Sequence, residues 1–436
     1  MKVHNILILH FLVLILICTL LLSLPISKRK GENVTFLDTL FISTSAVCVT
    51  GLAPLDVGKV FTPFGQGILL IFIQLGGLSL ASFFIFFSYI TTHRLNLFQR
   101  KLILSTYSAA IKEDFKPLIF SIVLVSFLIE FIGSILLFTQ FIKRHTPLEA
   151  IFYSIFHSVS AFCNAGFSLY SENLAFWKDN PFVVFTSSFL IFFGGIGFLV
   201  ISEIYLKFKA KEKLSLHSLI VLKATFALVV LGMLLFMIFE WGGVLKGMSF
   251  FEKFYISFFH SITPRTCGFN LISMDLLKPQ TLFLTMFLMF IGTAPGSTGG
   301  GIKVTTFVAS FLKIFSKIRG ENQCRIKNRA ISSRSIEMSF YLIFFSLLLC
   351  CFIFILILIS EGKGNPFDFL LFETLSAFGT VGLSCGITSH LLPFSKLCLI
   401  FLMFSGRIGG LVFLSIIQES RKTTGVVYSE ENLLVG

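Results

Sequence analysis

Phe156-His-Ser-Val-Ser-Ala-Phe-Cys-Asn-Ala-Gly166-Phe-Ser168 is the stretch of sequence that decides the fold, because versions of it occur four times in the chain. The others are Phe41-Ile-Ser-Thr-Ser-Ala-Val-Cys-Val-Thr-Gly51, Phe259-His-Ser-Ile-Thr-Pro-Arg-Thr-Cys-Gly268 and Phe372-Glu-Thr-Leu-Ser-Ala-Phe-Gly-Thr-Val-Gly382. Their glycines lie 115, 102 and 114 residues apart. This spacing indicates an internal repeat of about 109 residues. The predicted units are residues 1–110, 111–212, 213–325 and 326–436.

The composition around these copies is that of a polytopic membrane protein, whose first partner is membrane lipid. Apolar residues make up 55% of the 436 positions and charged residues only 13%. So few charges cannot solvate the surface of a large soluble domain, which excludes that class. The net charge of +13 is scattered over short loops between apolar runs. That distribution is typical of membrane topology and argues against a nucleic-acid partner.

Every unit has a long apolar run, a short half-apolar run that ends at the glycine motif, and a second long run. The eight long runs are able to cross about 30 Å of hydrocarbon. The four short runs, of 12 to 15 residues, cannot cross it and must enter and turn back. They are Phe36–Val47, Leu148–Phe162, Phe250–Ile262 and Phe367–Phe378. The sequence therefore predicts an all-α membrane protein of four tandem helix–pore loop–helix repeats, with eight transmembrane helices and four re-entrant pore helices around one central pore.

Each short run begins beside an acidic residue. These residues are Asp38, Glu149, Glu252 and Asp368. A carboxylate in the first turn complements the positive end of the helix dipole, which predicts four helix N-termini at a wet interface. The alternative is that they are ordinary loop acids.

The distribution of Lys and Arg predicts the orientation in the membrane. One set of alternate loops, with both termini, holds 19 of these residues, and the opposite set holds 13. The richer side is expected to be cytoplasmic. This places both termini in the cytoplasm, a multi-pass chain in the cytoplasmic (inner) membrane, and the glycine motifs in its outer half.

The four glycine motifs are predicted to form an ion filter. Non-helical backbone at membrane depth is tolerated where it lines water or is buried in protein, and a ring of carbonyl oxygens replaces the hydration shell of a potassium-sized cation. Helix packing is the alternative for any single glycine, but not for four at matched positions. The predicted ion-binding residues are Val49, Thr50, Gly51, Asn164, Ala165, Gly166, Thr266, Cys267, Gly268, Thr380, Val381 and Gly382. Potassium is the expected cargo, no cofactor is expected, and a metal cluster of the nearby cysteines is disfavoured by their unequal offsets from the glycines.

Two further elements interrupt the apolar pattern. Gly292-Thr-Ala-Pro-Gly-Ser-Thr-Gly-Gly-Gly-Ile-Lys303 contains a proline and five glycines, so it breaks the second long run of unit three. It is not a nucleotide cradle, since Ile302 stands where that motif requires lysine. Arg407 lies midway along the last run, and a charge at that depth should face the axis or pair with a polar group such as Glu130.

Taken together, the chain resembles the superfamily of Trk, Ktr and HKT potassium transporters, and most of all the Ktr-type membrane subunit. The resemblance rests on Ala165-Gly-Phe-Ser168, on Arg265-Thr-Cys-Gly-Phe-Asn270, on the Gly-rich loop and on Arg407. It implies potassium preference from Gly51 and leaves sodium open as a coupling ion. It also implies an intramembrane gating loop beside Arg407, made of Pro295, Gly296, Ser297, Thr298, Gly299, Gly300 and Gly301.

The resemblance implies partners as well. These are a second copy of the chain and a cytoplasmic ring of RCK subunits that bind ATP, ADP or NAD and dock on the basic internal loops and the tail.

Other classes of membrane protein fit the sequence less well. A broken-helix secondary symporter would show inverted repeats and two interrupted spans, and one interruption is visible. A membrane-embedded enzyme would need a nucleophile and base or a metal motif such as His-Glu-x-x-His, which is absent, so the chain is not expected to be an enzyme. His157 and His260 are expected to form hydrogen bonds at the ends of the pore helices and not a proton relay.

Overall fold

The computed structural model describes residues 3–78, 116–210, 214–321, 323–326, 329–362 and 364–409, and within these ranges the regular secondary structure is almost all helical. The helices are α1 (Val3–Ser23), α2 (Phe36–Val47), α3 (Val57–Val60), α4 (Pro63–Leu78), α5 (Lys116–Phe141), α6 (Pro147–Phe162), α7 (Pro181–Gly195), α8 (Phe198–Ala210), α9 (Leu216–Glu240), α10 (Phe250–Ile262), α11 (Pro279–Phe290), α12 (Val304–Ile318), α13 (Ser333–Glu361), α14 (Phe367–Gly379) and α15 (Pro393–Ile408). Strands β1 (Arg325–Ile326) and β2 (Arg329–Ala330) form an antiparallel hairpin, and short 3-10 segments cover Pro25–Ser27, Asn173–Trp177 and Met274–Leu276.

The four short helices α2, α6, α10 and α14 match the predicted short runs to within one residue at each end. Three of them begin with an acid that accepts a hydrogen bond from the backbone N–H of the cap residue. The pairs are Thr35–Asp38, Thr146–Glu149 and Ser249–Glu252. The capping prediction is confirmed for these three. In α14 the acid Asp368 also lies in the first turn, but the cap residue Pro366 makes no side-chain hydrogen bond. The hydrogen bonds from the backbone and side chain of Ser249 lower the pKa of Glu252.

Replacing Ser249 by alanine should destabilise the protein by about 1 kcal/mol, because the N–H of Glu252 loses its side-chain acceptor. The thermal unfolding midpoint of detergent-solubilised protein measures this change. Ser249→Asp keeps an acceptor and should unfold near the wild-type temperature. Equal midpoints for all three proteins would contradict the capping role.

The contacts between helices close into a ring that follows the chain order. In every unit the first long helix (α1, α5, α9 or α13) contacts both the short helix and the second long helix of that unit. Between units, the second long helix contacts the short helix of the following unit. These contacts are α4 with α6, α7 with α10, α11 with α14, and α15 with α2. The last of them joins unit four to unit one.

Large apolar side chains cover much of the outer surface, as expected of a protein in lipid. Phe226, Ile238 and Phe344 are 69%, 64% and 66% exposed. Among the described residues, α5, α9 and α13 are each long and apolar enough to cross a membrane, and the bent pair of α7 and α8 passes the same test as one span. The other predicted spans appear as shorter helices, of which α4 and α15 end where the described ranges end.

Within the part of the chain that the structure describes, two long runs are interrupted, so the interpretation that only one is broken was wrong. The predicted break lies between α11 and α12. The other separates α7 from α8, whose axes are bent by 96°. It falls at Gly194-Gly-Ile-Gly197, where Gly197 has a φ of +88°. Three glycines in four residues were the available signal, which sequence reasoning missed because the stretch is apolar and has no proline.

Candidate functional site

The four short helices end in the same backbone turn. The residue two positions before each glycine has a positive φ, as does the glycine itself, and the residue between them does not. The non-glycine residues are Val49 (58°), Asn164 (58°), Thr266 (71°) and Thr380 (49°). Alternation between left-handed and ordinary backbone angles turns successive carbonyl groups to one side of the chain. The four loops therefore share one backbone conformation.

The structure brings the four glycines together into a closed ring. A Cβ atom built on Gly51 would lie 2.4 Å from the carbonyl oxygen of Ala165, directly before Gly166. A Cβ built on Gly166 would lie 2.2 Å from the carbonyl oxygen of Cys267, and one built on Gly268 would lie 2.2 Å from that of Val381. A Cβ on Gly382 would lie 2.1 Å from the carbonyl oxygen of Thr50. Each loop thus packs against the next through its glycine, and loop four returns to loop one.

A hydroxyl residue anchors each loop, which sequence reasoning missed. The Oγ of Ser45 accepts a hydrogen bond from the N–H of Gly51 (2.9 Å), and that of Ser376 accepts one from Gly382 (3.1 Å). In the other copies, Ser160 and Thr263 donate to the carbonyl one residue past the glycine. The available signal was a Ser or Thr four residues after the first Phe of each copy.

Side chains behind loops two and four tie each loop to its short helix. His157 contacts the carbonyl of Tyr153 (2.8 Å) and the hydroxyl of Ser168 (3.1 Å), which confirms the expected hydrogen bonding. At the equivalent place in copy four, the buried carboxylate of Glu373 accepts hydrogen bonds from Ser384 and Thr388, which sequence reasoning also missed. His260 stacks on Phe236 instead, with ring centroids 4.8 Å apart.

A cavity of about 610 Å³ opens over the ring and is lined by all four glycines. Residues that follow the loops in the chain, among them Asp56 and Glu172, also line it. Among the residues that the structure describes, no cluster of His, Cys, Asp and Glu has the arrangement of a metal site.

The Gly-rich loop lies directly against three of the four turns, next to the residues that precede the glycines. The side-chain amide of Asn164 donates to the hydroxyl of Thr298 (3.0 Å), and the N–H of Gly300 donates to the hydroxyl of Thr380 (3.0 Å). A Cβ on Gly299 would lie 1.9 Å from the hydroxyl of Thr266. The loop therefore contacts the positive-φ residue of three of the four turns.

Two cationic side chains hold this loop. Arg407 donates to the carbonyl oxygens of Thr298 and Gly76, and to that of Gly77 at 3.1 Å. Lys303 donates to the carbonyl of Gly299 at 2.6 Å. Glu130, the ion-pair partner considered from the sequence, instead accepts from the amide of Gln74 with both oxygens at 2.9 Å. Arg407 thus joins α15, α4 and the Gly-rich loop.

Comparisons with known proteins agree over nearly the whole chain. The family model described as "TrkH: Cation transport protein" matches residues 1–424. The chain is 35% identical to the potassium/sodium uptake protein NtpJ of Enterococcus hirae, over 98% of this chain and 95% of that one. It is also 35% identical to the Ktr system potassium uptake protein B of Bacillus subtilis, over 92% and 90%. The crystal structure of the potassium transporter TrkH from Vibrio parahaemolyticus shares the fold, with a TM-score of 0.72 at 16% identity and coverages of 94% and 84%.

Proposed function

Since the chain belongs to the TrkH family of cation transport proteins, we propose that it is the ion-conducting membrane subunit of a potassium uptake system. The observation that carries this proposal is the closed ring of Gly51, Gly166, Gly268 and Gly382, with the same alternating backbone turn on each loop. The names of the relatives from E. hirae and B. subtilis, which are potassium uptake proteins, support the choice of ion.

The proposed filter consists of the twelve residues predicted above, three from each loop. Their carbonyl oxygens replace the water around a dehydrated potassium ion. The C-terminal ends of α2, α6, α10 and α14 point partial negative charge to the same place, which stabilises a cation without any acidic side chain in the ring. A filter made of backbone needs rigid loops, and the anchors Ser45, Ser160, Thr263 and Ser376 supply that rigidity.

The proposed gate is the Gly-rich loop, residues Pro295 to Gly301. It lies against three filter turns, and Lys303 and Arg407 occupy carbonyl oxygens that a passing cation would otherwise meet. Both cations also raise the electrostatic barrier to potassium where water is scarce. This arrangement is a closed state, and conduction requires the loop to move.

Arg407→Ala should raise the maximal potassium flux several-fold, because it removes both a positive charge from the path and a tie on the loop. Arg407→Lys keeps the charge without the guanidinium fork and should change the flux less. Flux per folded molecule and the thermal unfolding midpoint are measured together. Lower stability with no rise in flux would identify Arg407 as a structural residue only.

The proposed architecture has four helix–pore loop–helix repeats with eight spans. The chain lies in the cytoplasmic (inner) membrane, with both termini in the cytoplasm. The chain-order ring of helix contacts supports the repeats. A homodimer and an RCK ring that binds ATP, ADP or NAD are proposed as partners. One relative is named protein B of a Ktr system, which supports a system of more than one protein. The hairpin of β1 and β2, tied to residue 214 by Arg329, offers a basic docking surface.

A broken-helix cation symporter is the second candidate, and the break between α7 and α8 favours it more than the sequence did, because such symporters have paired interruptions. The contact pattern argues against it, since the four units follow one another around the ring in chain order. A sodium requirement for uptake would be common to this candidate and to a sodium-coupled version of the proposed pathway.

Rubidium uptake into liposomes that contain only this protein tests the proposal. We expect uptake that dissipates an outward potassium gradient and that is blocked less by external sodium than by external potassium. Rubidium accumulation against its own gradient, driven by a sodium gradient, would favour the symporter, whereas a sodium requirement without such accumulation would not decide between the two candidates. A folded protein that takes up no rubidium under any ion gradient, even with the Gly-rich loop shortened, would contradict the proposed function.

A further inference from the structure

The break between α7 and α8 leaves backbone groups that a continuous helix would satisfy. The last carbonyls of α7 and the first N–H groups of α8 have no partner within their own helix. At membrane depth such groups need another partner, since lipid offers none. Glycines at 194, 195 and 197 let the backbone turn here, and Gly197 takes a φ of +88° that other residues rarely adopt.

The Gly-rich loop supplies those partners. The N–H of Thr298 donates to the carbonyl of Gly194 at 3.2 Å, and its hydroxyl donates to the same oxygen at 3.1 Å. The N–H of Ala294 donates to the carbonyl of Gly195 at 3.1 Å. In the opposite direction, the N–H of Phe198 donates to the carbonyl of Gly296 at 3.0 Å. The loop is therefore docked in the break by its backbone.

The backbone groups of α7 and α8 that bond to the loop would bond to one another in a continuous helix. In a continuous α-helix the N–H of Phe198 would donate to the carbonyl of Gly194, four residues earlier. The carbonyl of Gly195 would accept from the next N–H in the same way. If the loop leaves, the freed groups of α7 and α8 are able to pair with one another as the helix straightens. Departure of the loop and joining of the helices exchange one set of hydrogen bonds for another.

We propose that α7 and α8 are a second moving part of the gate, and that they join into one helix when the Gly-rich loop leaves the filter turns. This inference rests on the proposed function and adds a coupling to it. Bistable elements of this kind convert a small local change into a large displacement. A regulator that moves α8 would then control the loop without touching it.

Gly197 is the residue whose substitution best distinguishes the bent state of α7 and α8 from the joined state. Alanine at its positive φ is strained in the bent state, and its Cβ would lie 2.9 Å from the carbonyl of Pro295 in the docked loop. The same alanine favours a helix over glycine. Gly197→Ala should therefore shift the equilibrium towards the joined helix by roughly tenfold. Gly247→Ala is the matched control, because Gly247 has a φ of +81° and open space around its Cβ.

The test is a distance between spin labels on full-length protein, at cysteines replacing Phe182 and Lys207. Cys351, the exposed one of the nine native cysteines, is changed to serine first. Two arms at 96° place these positions about 26 Å apart, and one continuous helix places them about 38 Å apart. We expect the short distance in the otherwise native protein and in Gly247→Ala. The long distance should grow in Gly197→Ala and dominate in a variant that lacks residues 296–300.

The short distance in every variant would overturn the inference. If the shortened variant does not fold, the distance measured in Gly197→Ala, whose Gly-rich loop is intact, decides the question alone. Because the distance needs no ion flux, the two ideas fail separately. Longer distances without increased rubidium uptake would leave the coupling intact and remove the gate, whereas increased uptake at an unchanged distance would keep the gate and remove the coupling.

Discussion

Replacing any one of the four ring glycines by serine should lower the ratio of potassium to sodium uptake by at least about tenfold. Each added Cβ would lie 2.1 to 2.4 Å from a carbonyl oxygen of the neighbouring loop, so the ring has to open. All four glycines also have a positive φ, where a residue with a side chain is strained by about 1–2 kcal/mol. A strain of this size corresponds to roughly a tenfold change in the population of the intact filter.

The ratio is measured from initial rates of rubidium and sodium uptake into proteoliposomes, at equal amounts of folded protein. Gly31→Ser is the matched control, because Gly31 has a φ of +92° and no atom within 4 Å of a built Cβ. It should keep the wild-type ratio, which separates the ring contact from backbone strain alone. Unchanged ratios in all four ring variants would remove the filter from the proposed function.

The ring and its short helices were largely predictable from the sequence. A run of 12 to 15 apolar residues is too short to cross a bilayer, and acids at the starts and glycines at the ends mark where such a helix begins and stops. These signals are local, which is why α2 and α10 have the predicted bounds. The identity of the partners was not predictable. The Ser or Thr four residues after the first Phe of each copy marks Ser45, but its partner Gly51 is six residues further along the chain, and only the folded turn brings the two together.

The break between α7 and α8 shows a second limit of sequence reasoning. The break between α11 and α12 contains Pro295 and is visible in the sequence, since proline cannot continue a helix. Gly194 to Gly197 have a sequence that a membrane helix tolerates, and the reason they do not continue the helix lies about 100 residues away in the Gly-rich loop. Arg407 is similar, because its partners are backbone carbonyls that carry no sequence signature.

Within the Gly-rich loop, Thr298 makes the most hydrogen bonds to other segments. Its hydroxyl contacts the carbonyls of Phe162 and Gly194 and accepts from Asn164, while its own carbonyl accepts from Arg407. Each such hydrogen bond contributes about 0.5–1.5 kcal/mol. Thr298→Val keeps the shape of the side chain and removes the hydroxyl, so it should weaken the closed state and raise flux by about tenfold or less.

Removing residues 296–300 should raise potassium uptake further than Thr298→Val, because it takes away the barrier itself together with the carbonyls held by Lys303. The ratio of potassium to sodium uptake should stay near the wild-type value if the packing of each glycine on the next filter loop holds the ring without support from the Gly-rich loop. Rubidium and sodium uptake are measured with Thr298→Ser as the control, which retains the hydroxyl and should remain closed. Unchanged uptake in a folded deletion variant would exclude the loop as the gate. Increased uptake with lost selectivity would show instead that the contacts to Asn164 and Thr380 support the filter, which makes the loop part of the selective structure and not a barrier beneath it.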